Sequence, residues 1–263
     1  MPKPIISILG CGWLGKSLGQ HLANAGYVVN GSTTSNEKVE ALTAAGITPF
    51  VFRVEDTSLP IKVQPFFDAG VLVISLPHGG RAGKVEDYLR QIRHVITAAH
   101  QGKVANIILI STTSVYPNLN RLVVERDADN DNPIVKAEQV VRDSGIASTV
   151  LRFAGLIGPG RHPGRFLAGK QNIRGGNVPV NLIHLDDCIR IIQRVIEQNV
   201  WNATLNACAS EHPTRSAFYT KAALDLNLPP PVFAEDDHSD FKIVSNQELL
   251  TRLDYTFIRP LAI

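Results

Sequence analysis

In the first half of the chain, short apolar runs alternate with amphipathic stretches. The run Ile5–Leu9 reads as a buried strand, and similar runs follow at Val28–Gly31, Phe50–Val54, Val71–Ser75 and Asn106–Ser111. Between them the apolar positions fall at helical spacing over Trp13–Ala25, Asn36–Ala45 and Val85–Gln101. Leu14, Leu18 and Leu22 line one face of the first helix, and Gly26 is its expected stop. A helix is further expected over Pro133–Asp143, strands over Ser148–Phe153 and Val180–Ile183, and a helix over Asp186–Gln198. Strands alternating with helices in this way predict an α/β fold with a doubly wound parallel sheet. Beyond Asn206 the spacing loosens and prolines gather in LNLPPPVF at 226–233, which points to a small C-terminal lobe.

The chemistry begins where the first strand ends. Gly10, Gly12 and Gly15 follow it as G-x-G-x-x-G, between a strand and a helix at the N-terminus of the chain. In that setting each glycine has a job in a dinucleotide site of the Rossmann type: a sharp turn, a close approach of backbone to pyrophosphate, and tight helix–strand packing. The N–H groups at the helix start then face the phosphates, so Gly10, Cys11, Gly12, Trp13, Leu14 and Gly15 are the expected cofactor cradle. The second strand ends in Asn30-Gly31-Ser32-Thr33-Thr34-Ser35, with no carboxylate to accept the ribose 2′-hydroxyl of NAD. Ser32, Thr33, Thr34, Ser35 and Lys38 are therefore expected to hold a 2′-phosphate. That favours NADP, with NAD as the alternative, although no arginine stands there to grip it. Ser35 or Asn36 is also a natural cap for the next helix. Leu76 and Pro77, after the fourth strand, complete the expected cofactor contacts.

Composition narrows the rest. The chain has 263 residues, 44% hydrophobic and 19% charged, ordinary for a globular protein. A formal charge of +2, with its basic residues scattered, argues against nucleic acid as a partner. No apolar run approaches the roughly 20 residues of a membrane span, and the N-terminus does not read as a signal peptide. Cys11, Cys188 and Cys208 show neither metal-ligand spacing nor a disulfide framework, so no metal is expected and a reducing, cytoplasmic location is. Cys11 reads as a small residue that fits a tight turn.

Three further blocks carry a family resemblance. Ser111-Thr112-Thr113-Ser114-Val115-Tyr116-Pro117 resembles the S-[ST]-x-x-V-Y-G segment of extended short-chain dehydrogenases/reductases, the NAD(P)-dependent epimerase/dehydratase group. Arg152 to Arg161, RFAGLIGPGR, is similar to that group's R-x-x-x-[IV]-Y-G-P-G-R, and Val180 to Asp187, VNLIHLDD, to its V-N-x-I-H-V-D-D. TRSAFYTKAA with LPPPVF looks like the narrower, atypical YeeZ-like group. The resemblance spans residues 4 to 233 in the right order. It implies a Rossmann domain over 1–160, rejoined by 180–205, with a small substrate lobe from 161–179 and 206–263. It also implies oxidoreductase chemistry on a small-molecule substrate, a nucleotide-linked or otherwise anionic sugar, and a homodimer through the helices after residues 85 and 133.

In that group a Ser or Thr, a Tyr and a Lys form the catalytic set: a phenol moves the proton, a lysine lowers its pKa, and a hydroxyl orients the substrate oxygen. Carried over, Thr112 takes the Ser/Thr position and Lys136 the Lys position, but Asn132 stands where the tyrosine belongs. A carboxamide cannot donate a proton near neutral pH, and Asn132 before Pro133 is instead a good N-cap. Lys136 is then either a ribose-binding group or a solvated helix residue. Tyr116 is the candidate to supply the missing phenol, although it also suits a pocket wall. Glu125 reads as a loop anchor, Asp186 or Asp187 as a helix cap, and His184 as a residue packed beneath that helix. Arg161, His162, Arg165 and Lys170, after the Gly158–Gly160 turn, are candidates for an anion grip or for scattered surface charge. Arg215 reads as a surface or helix-start residue. Two functions follow: an NADP-dependent epimerase/dehydratase-like enzyme with altered proton chemistry, or a non-catalytic NADP-binding sensor or partner-binding protein.

Overall fold

The computed structural model describes residues 3–54, 61–78, 85–235 and 238–261. Seven strands form the main sheet: β1 Ile6–Leu9, β2 Val29–Thr33, β3 Thr48–Val51, β4 Val71–Ile74, β5 Asn106–Thr112, β6 Ala147–Phe153 and β7 Ala203–Ala207. Their spatial order is β7-β6-β5-β4-β1-β2-β3, and the pairings from β3 through β5 are parallel. This is the doubly wound, Rossmann-type sheet expected from the strand–helix alternation. The order turns back on itself between β1 and β4, and a parallel sheet of this kind binds ligands at the carboxyl ends of strands at such a switch.

The apolar runs are strands because both faces of the sheet are covered. Every residue of β1 and β4 is buried. On one face Phe52, Phe66, Phe67, Leu72, Ile74 and Ile92 share a core. On the other face Gly19 of the helix Trp13–Asn24 lies so close to Ile8 and Ile47 that a Cβ would clash. The helices Val85–Gln101, Pro133–Arg142 and Leu185–Gln198 match their expected spans to within one residue at each end.

Three expectations shift. The third strand is Thr48–Val51, not Phe50–Val54, because the chain leaves the ladder after Phe52 donates to the Thr33 carbonyl. The helix over 36–45 splits into a 3-10 turn at Asn36–Lys38 and a short helix at Val39–Thr43. The strand around 180 is Leu182–His184, and it pairs with Gly155–Ile157 rather than joining the main sheet. The edge strand β7 and the helices Arg215–Leu224 and Gln247–Leu253 had no clear signal in the pattern.

The chain forms two compact units: residues 1–111, 130–151 and 192–204, and residues 112–129, 152–191 and 205–263. In the second, Ile157, Val180, Leu182, Ala209, Phe218 and Leu261 form a separate core. Its C-terminal segment is held by polar side chains. The Asp187 carboxylate accepts hydrogen bonds from the Tyr255 hydroxyl (2.7 Å) and from the N–H groups of Ile258 (2.8 Å) and Arg259 (3.2 Å). Asn181 donates to the Lys242 carbonyl and accepts from the Val244 N–H. Among the described residues no helix is long and apolar enough to cross a membrane.

Candidate functional site

The glycine turn sits at the switch between β1 and β4. Gly10 has φ +102°, a left-handed conformation that disfavours side chains, and a Cβ there would lie 2.5 Å from the Ser75 carbonyl oxygen. A Cβ on Gly15 would overlap the Gly10 carbonyl, so the helix could not close onto the strand. Gly12 differs: no atom lies within 4 Å of where its Cβ would be. The first and third glycines are thus demanded by the protein's own packing. The second faces open space, the requirement for backbone to approach a pyrophosphate. The residues fit a dinucleotide. The Cys11 side chain is buried, and that burial pushes its thiol up to about 12, so it is a neutral packing group. The Leu14 side chain is also buried, which leaves its backbone to face a phosphate.

The hydroxyl run at the end of β2 divides by face. The Ser32 hydroxyl accepts from the Gly10 N–H at 2.8 Å and braces the turn rather than facing outward. Thr33 is buried and its Oγ1 accepts from the Ser35 N–H; Ser35 is the N-cap of the turn that follows, as expected, but without a side-chain hydrogen bond to it. Thr34 and Lys38 are exposed and Ser35 is half-buried. Beside them the register pairs Gly31 with Pro49 and Thr33 with Val51, which puts Arg53 next in line on the Thr33 face, exposed between buried Phe52 and Val54. The run at the end of β2 holds no arginine, as expected, but the chain just past β3 carries one, Arg53, about 20 residues from Thr33 in sequence.

After β4 come Leu76, Pro77 and His78. The His78 Nε2 faces the Ile110 carbonyl at 3.1 Å, an acceptor only, so Nε2 carries the proton and Nδ1 is a bare acceptor in the neutral ring. Burial holds this imidazole below its ordinary range, against the opposing pull of the Ile110 carbonyl and Glu138. The Tyr88 ring packs edge-on against it at 4.9 Å. Glu138, fully buried, accepts from the Ser111 hydroxyl at 2.6 Å and from Arg142 at 3.2 Å. On the same helix, Asn132 is the N-cap: its Oδ1 accepts from the Ile134 N–H at 2.9 Å, with Pro133 at the first position. Lys136 is exposed and pairs with Asp131 at 3.5 Å.

Thr112 and Tyr116 belong to the second unit. Thr112 is half-buried, and its Oγ1 accepts from the Ser114 N–H at 3.1 Å, which opens a 3-10 turn. The Tyr116 hydroxyl is buried; it accepts from Arg152 at 2.7 Å and donates to the Asn206 carboxamide oxygen at 2.6 Å. Arg152 also donates to the Glu125 carbonyl, and the Glu125 carboxylate accepts from the Asn206 N–H at 3.0 Å. Burial pushes the Tyr116 phenol up to about 12, despite the opposing charge of Arg152. Glu125 is a loop anchor, as its position suggested. Asp187 is not a helix cap but the clamp on the C-terminal segment. His184 itself caps the helix that starts at Leu185, its Nδ1 accepting from the Asp186 N–H at 3.1 Å.

A family model described as NAD(P)H-binding matches residues 10–183. Protein YeeZ of Escherichia coli K12 is 33% identical, over 97% of this chain and 96% of its own. The chain belongs to the NAD(P)H-binding family, together with YeeZ. Among solved structures, the Bordetella bronchiseptica enzyme WbmG, in complex with NAD and UDP, superimposes with a TM-score of 0.80 at 15% identity, over 97% of this chain and 89% of that one. The UDP-glucose 4-epimerase of Thermotoga maritima, with UDP-glucose, gives 0.75 at 16%, over 98% and 94%. At these identities the likeness is one of fold.

The family's G-P-G turn leads to a pocket within the second unit, with a cavity volume of about 640 Å³. Of the four basic residues expected to grip an anion there, only His162 lines it. Its other cations are Lys221, paired with Asp225 at 3.1 Å, and Arg259, paired with Asp186 at 2.9 Å. Arg215 opens the helix Arg215–Leu224 behind its Thr214 cap and donates to the Arg174 carbonyl. Sequence spacing could not have found Arg259, which reaches the pocket from a segment with no motif of its own, and Lys221 lies in the TRSAFYTKAA block without a chemical role that its spacing assigns.

Proposed function

We propose that the protein is an NAD(P)-dependent oxidoreductase of the nucleotide-sugar epimerase/dehydratase type that takes NADP in preference to NAD. The observation that carries the reading is the glycine turn, with two glycines that packing demands and one left open to a ligand. When bound, the nicotinamide supplies or accepts the hydride. The chain's own residues would hold the dinucleotide, its pyrophosphate on the N–H groups at the start of the helix Trp13–Asn24, its adenosine ribose on the exposed hydroxyls after β2, with further contacts from Leu76 and Pro77. Thr112 orients the substrate oxygen and Lys136 holds a ribose hydroxyl.

Asn132 is a cap, and the Tyr116 hydroxyl is committed to Arg152 and Asn206. We therefore assign Tyr116 to the scaffold and the proton to His78, whose bare Nδ1 is the acceptor beside Pro77. The UDP and UDP-glucose of the two structural neighbours support a nucleotide-linked substrate, to which the second unit's pocket offers Lys221 and Arg259, each paired with a carboxylate of the same pocket. We assign cofactor binding to the first unit, residues 1–111, 130–151 and 192–204, and the substrate lobe to the second, residues 112–129, 152–191 and 205–263. Three free, buried cysteines support a reducing, cytoplasmic location. A homodimer through the helices at 85–101 and 133–142 has little support, since the exposed large apolar residues described lie on neither helix.

The test is stopped-flow absorbance of protein-bound NADPH against a panel of nucleotide sugars and small carbonyl compounds. Tight binding with oxidation by at least one of them, slowed in Thr112→Ala, is the expected result. Tight binding with no oxidation by any of them supports the second reading, a non-catalytic NADP sensor, which Asn132 and the committed Tyr116 hydroxyl favour.

A further inference from the structure

We propose that Arg53 is the specificity-determining residue of the cofactor site, the group that recognises the 2′-phosphate of the adenosine ribose. The proposal rests on the NADP reading above and gives it a residue. Three observations converge. The first is position. Arg53 follows the end of β3, and the pairing of Thr33 with Val51, continued by the Phe52 N–H on the Thr33 carbonyl, sets it beside Thr33-Thr34-Ser35 at the carboxyl edge of the sheet.

The second is face. Partners in a parallel ladder project to the same side, so Gly31, Thr33 and Val51 share one face, and the alternation of burial just past the ladder, with Phe52 and Val54 buried and Arg53 exposed, carries that face on to Arg53. On that face a Cβ at Gly31 would press on Cys11, a residue of the glycine turn. Phe52 and Val54 take the other face and enter the core with Phe66. Arg53 therefore stands on the side of the sheet that holds the cofactor cradle. The third is charge. Arg53 is exposed, and among the described residues no carboxylate forms an ion pair with it. Thr34 and Lys38, after the end of β2, are exposed, and Ser32 and Thr33 are occupied internally, so they cannot serve the phosphate.

A guanidinium presents two parallel N–H donors to a phosphate and stays charged at any working pH. It has no comparable attraction for the neutral 2′-hydroxyl of NAD. Arg53 with Lys38 thus makes the 2′-phosphate an attractive feature, whereas a carboxylate at the end of β2 would have repelled it.

The experiment is calorimetric titration of the full-length protein with NADP+, NAD+, 2′,5′-ADP and 5′-ADP. The wild type is expected to bind the two 2′-phosphorylated ligands more tightly. Arg53→Ala should weaken them by about 10- to 100-fold, the worth of a charge-assisted contact, and change NAD+ and 5′-ADP by less than about threefold. Arg53→Lys should keep part of the preference, as a point charge without the fork. A wild type that prefers NADP+ but whose preference survives Arg53→Ala overturns this assignment and leaves the NADP reading standing. A wild type that prefers NAD+ overturns the NADP reading itself, and the role of Arg53 with it.

Discussion

The glycine turn of the first unit and the Arg152–Tyr116 network of the second are both built from residues that match the family's motifs. They use those residues in opposite ways. The turn is a backbone device: Gly10 and Gly15 are required by their neighbours, and Gly12 is left open for a ligand. The network is a side-chain device whose members are saturated by one another, with Tyr116 between Arg152 and Asn206 and Glu125 on the Asn206 N–H. A ligand can use the first without disturbing it. Using the Tyr116 hydroxyl would break buried hydrogen bonds. A motif match therefore means more where it constrains backbone than where it names a reactive side chain.

The contrast can be broken most forcefully at Arg152. Arg152→Met leaves the Tyr116 hydroxyl and the Glu125 carbonyl without their donor, and should destabilise the protein by about 3–5 kcal/mol in chemical denaturation. NADPH affinity of the folded fraction should stay unchanged. A large loss of affinity would make the network part of the binding site.

Gly15→Ala should cost about 3 kcal/mol, because the new Cβ meets the Gly10 carbonyl. Gly12→Ala should leave stability within about 0.5 kcal/mol of the wild type, since its Cβ meets nothing. It should nonetheless weaken NADPH by about tenfold or more, or about 1.4 kcal/mol per factor of ten. Thermal melts paired with fluorescence titration separate the two effects. Equal behaviour of the two variants would erase the distinction between packing glycine and ligand glycine.

Tyr116→Phe should cost about 2 kcal/mol, with catalysis, once a substrate is found, left intact. The folded protein favours the protonated phenol, so this stabilisation is complete below the phenol's ordinary value of 10.0 and is lost as pH rises toward about 12. If Tyr116→Phe abolishes turnover without loss of stability, the phenol is catalytic and the scaffold assignment is wrong.

The smallest effect is expected at His78. Burial depresses its pKa, so its contribution is present above 6.5 and fades as the pH falls through the lower folded value, where the unfolded chain takes up the proton first. His78→Gln should flatten the acid limb of stability against pH. An unchanged acid limb would mean that His78 titrates as it does in the unfolded chain.

Much of this was legible along the chain. The alternation of apolar runs and amphipathic helices predicted the parallel sheet, because strands covered on both faces must be apolar throughout. Asn132 before Pro133 announced a cap, which is local chemistry. The second unit was harder to read. Its short strands pair across long separations, as Leu122–Val123 does with Ile243–Val244, and two-residue strands carry no periodicity. Asp187 looked like a cap because its partners, Tyr255, Ile258 and Arg259, lie some 70 residues on.

By itself the sequence determined the backbone features: the fold class, the glycine turn between strand and helix, and the cap at Asn132 before Pro133. These depend on propensity, periodicity and the conformational demands of glycine and proline, all of which act over a few residues. Only the tertiary structure decided which side chains are free. It occupied Ser32 and Tyr116, set the Ile110 carbonyl against the His78 Nε2, and laid the chain that leads on to Arg53 alongside the end of β2. A hydrogen bond or a shared sheet edge joins residues distant in the chain, and no local pattern records that meeting.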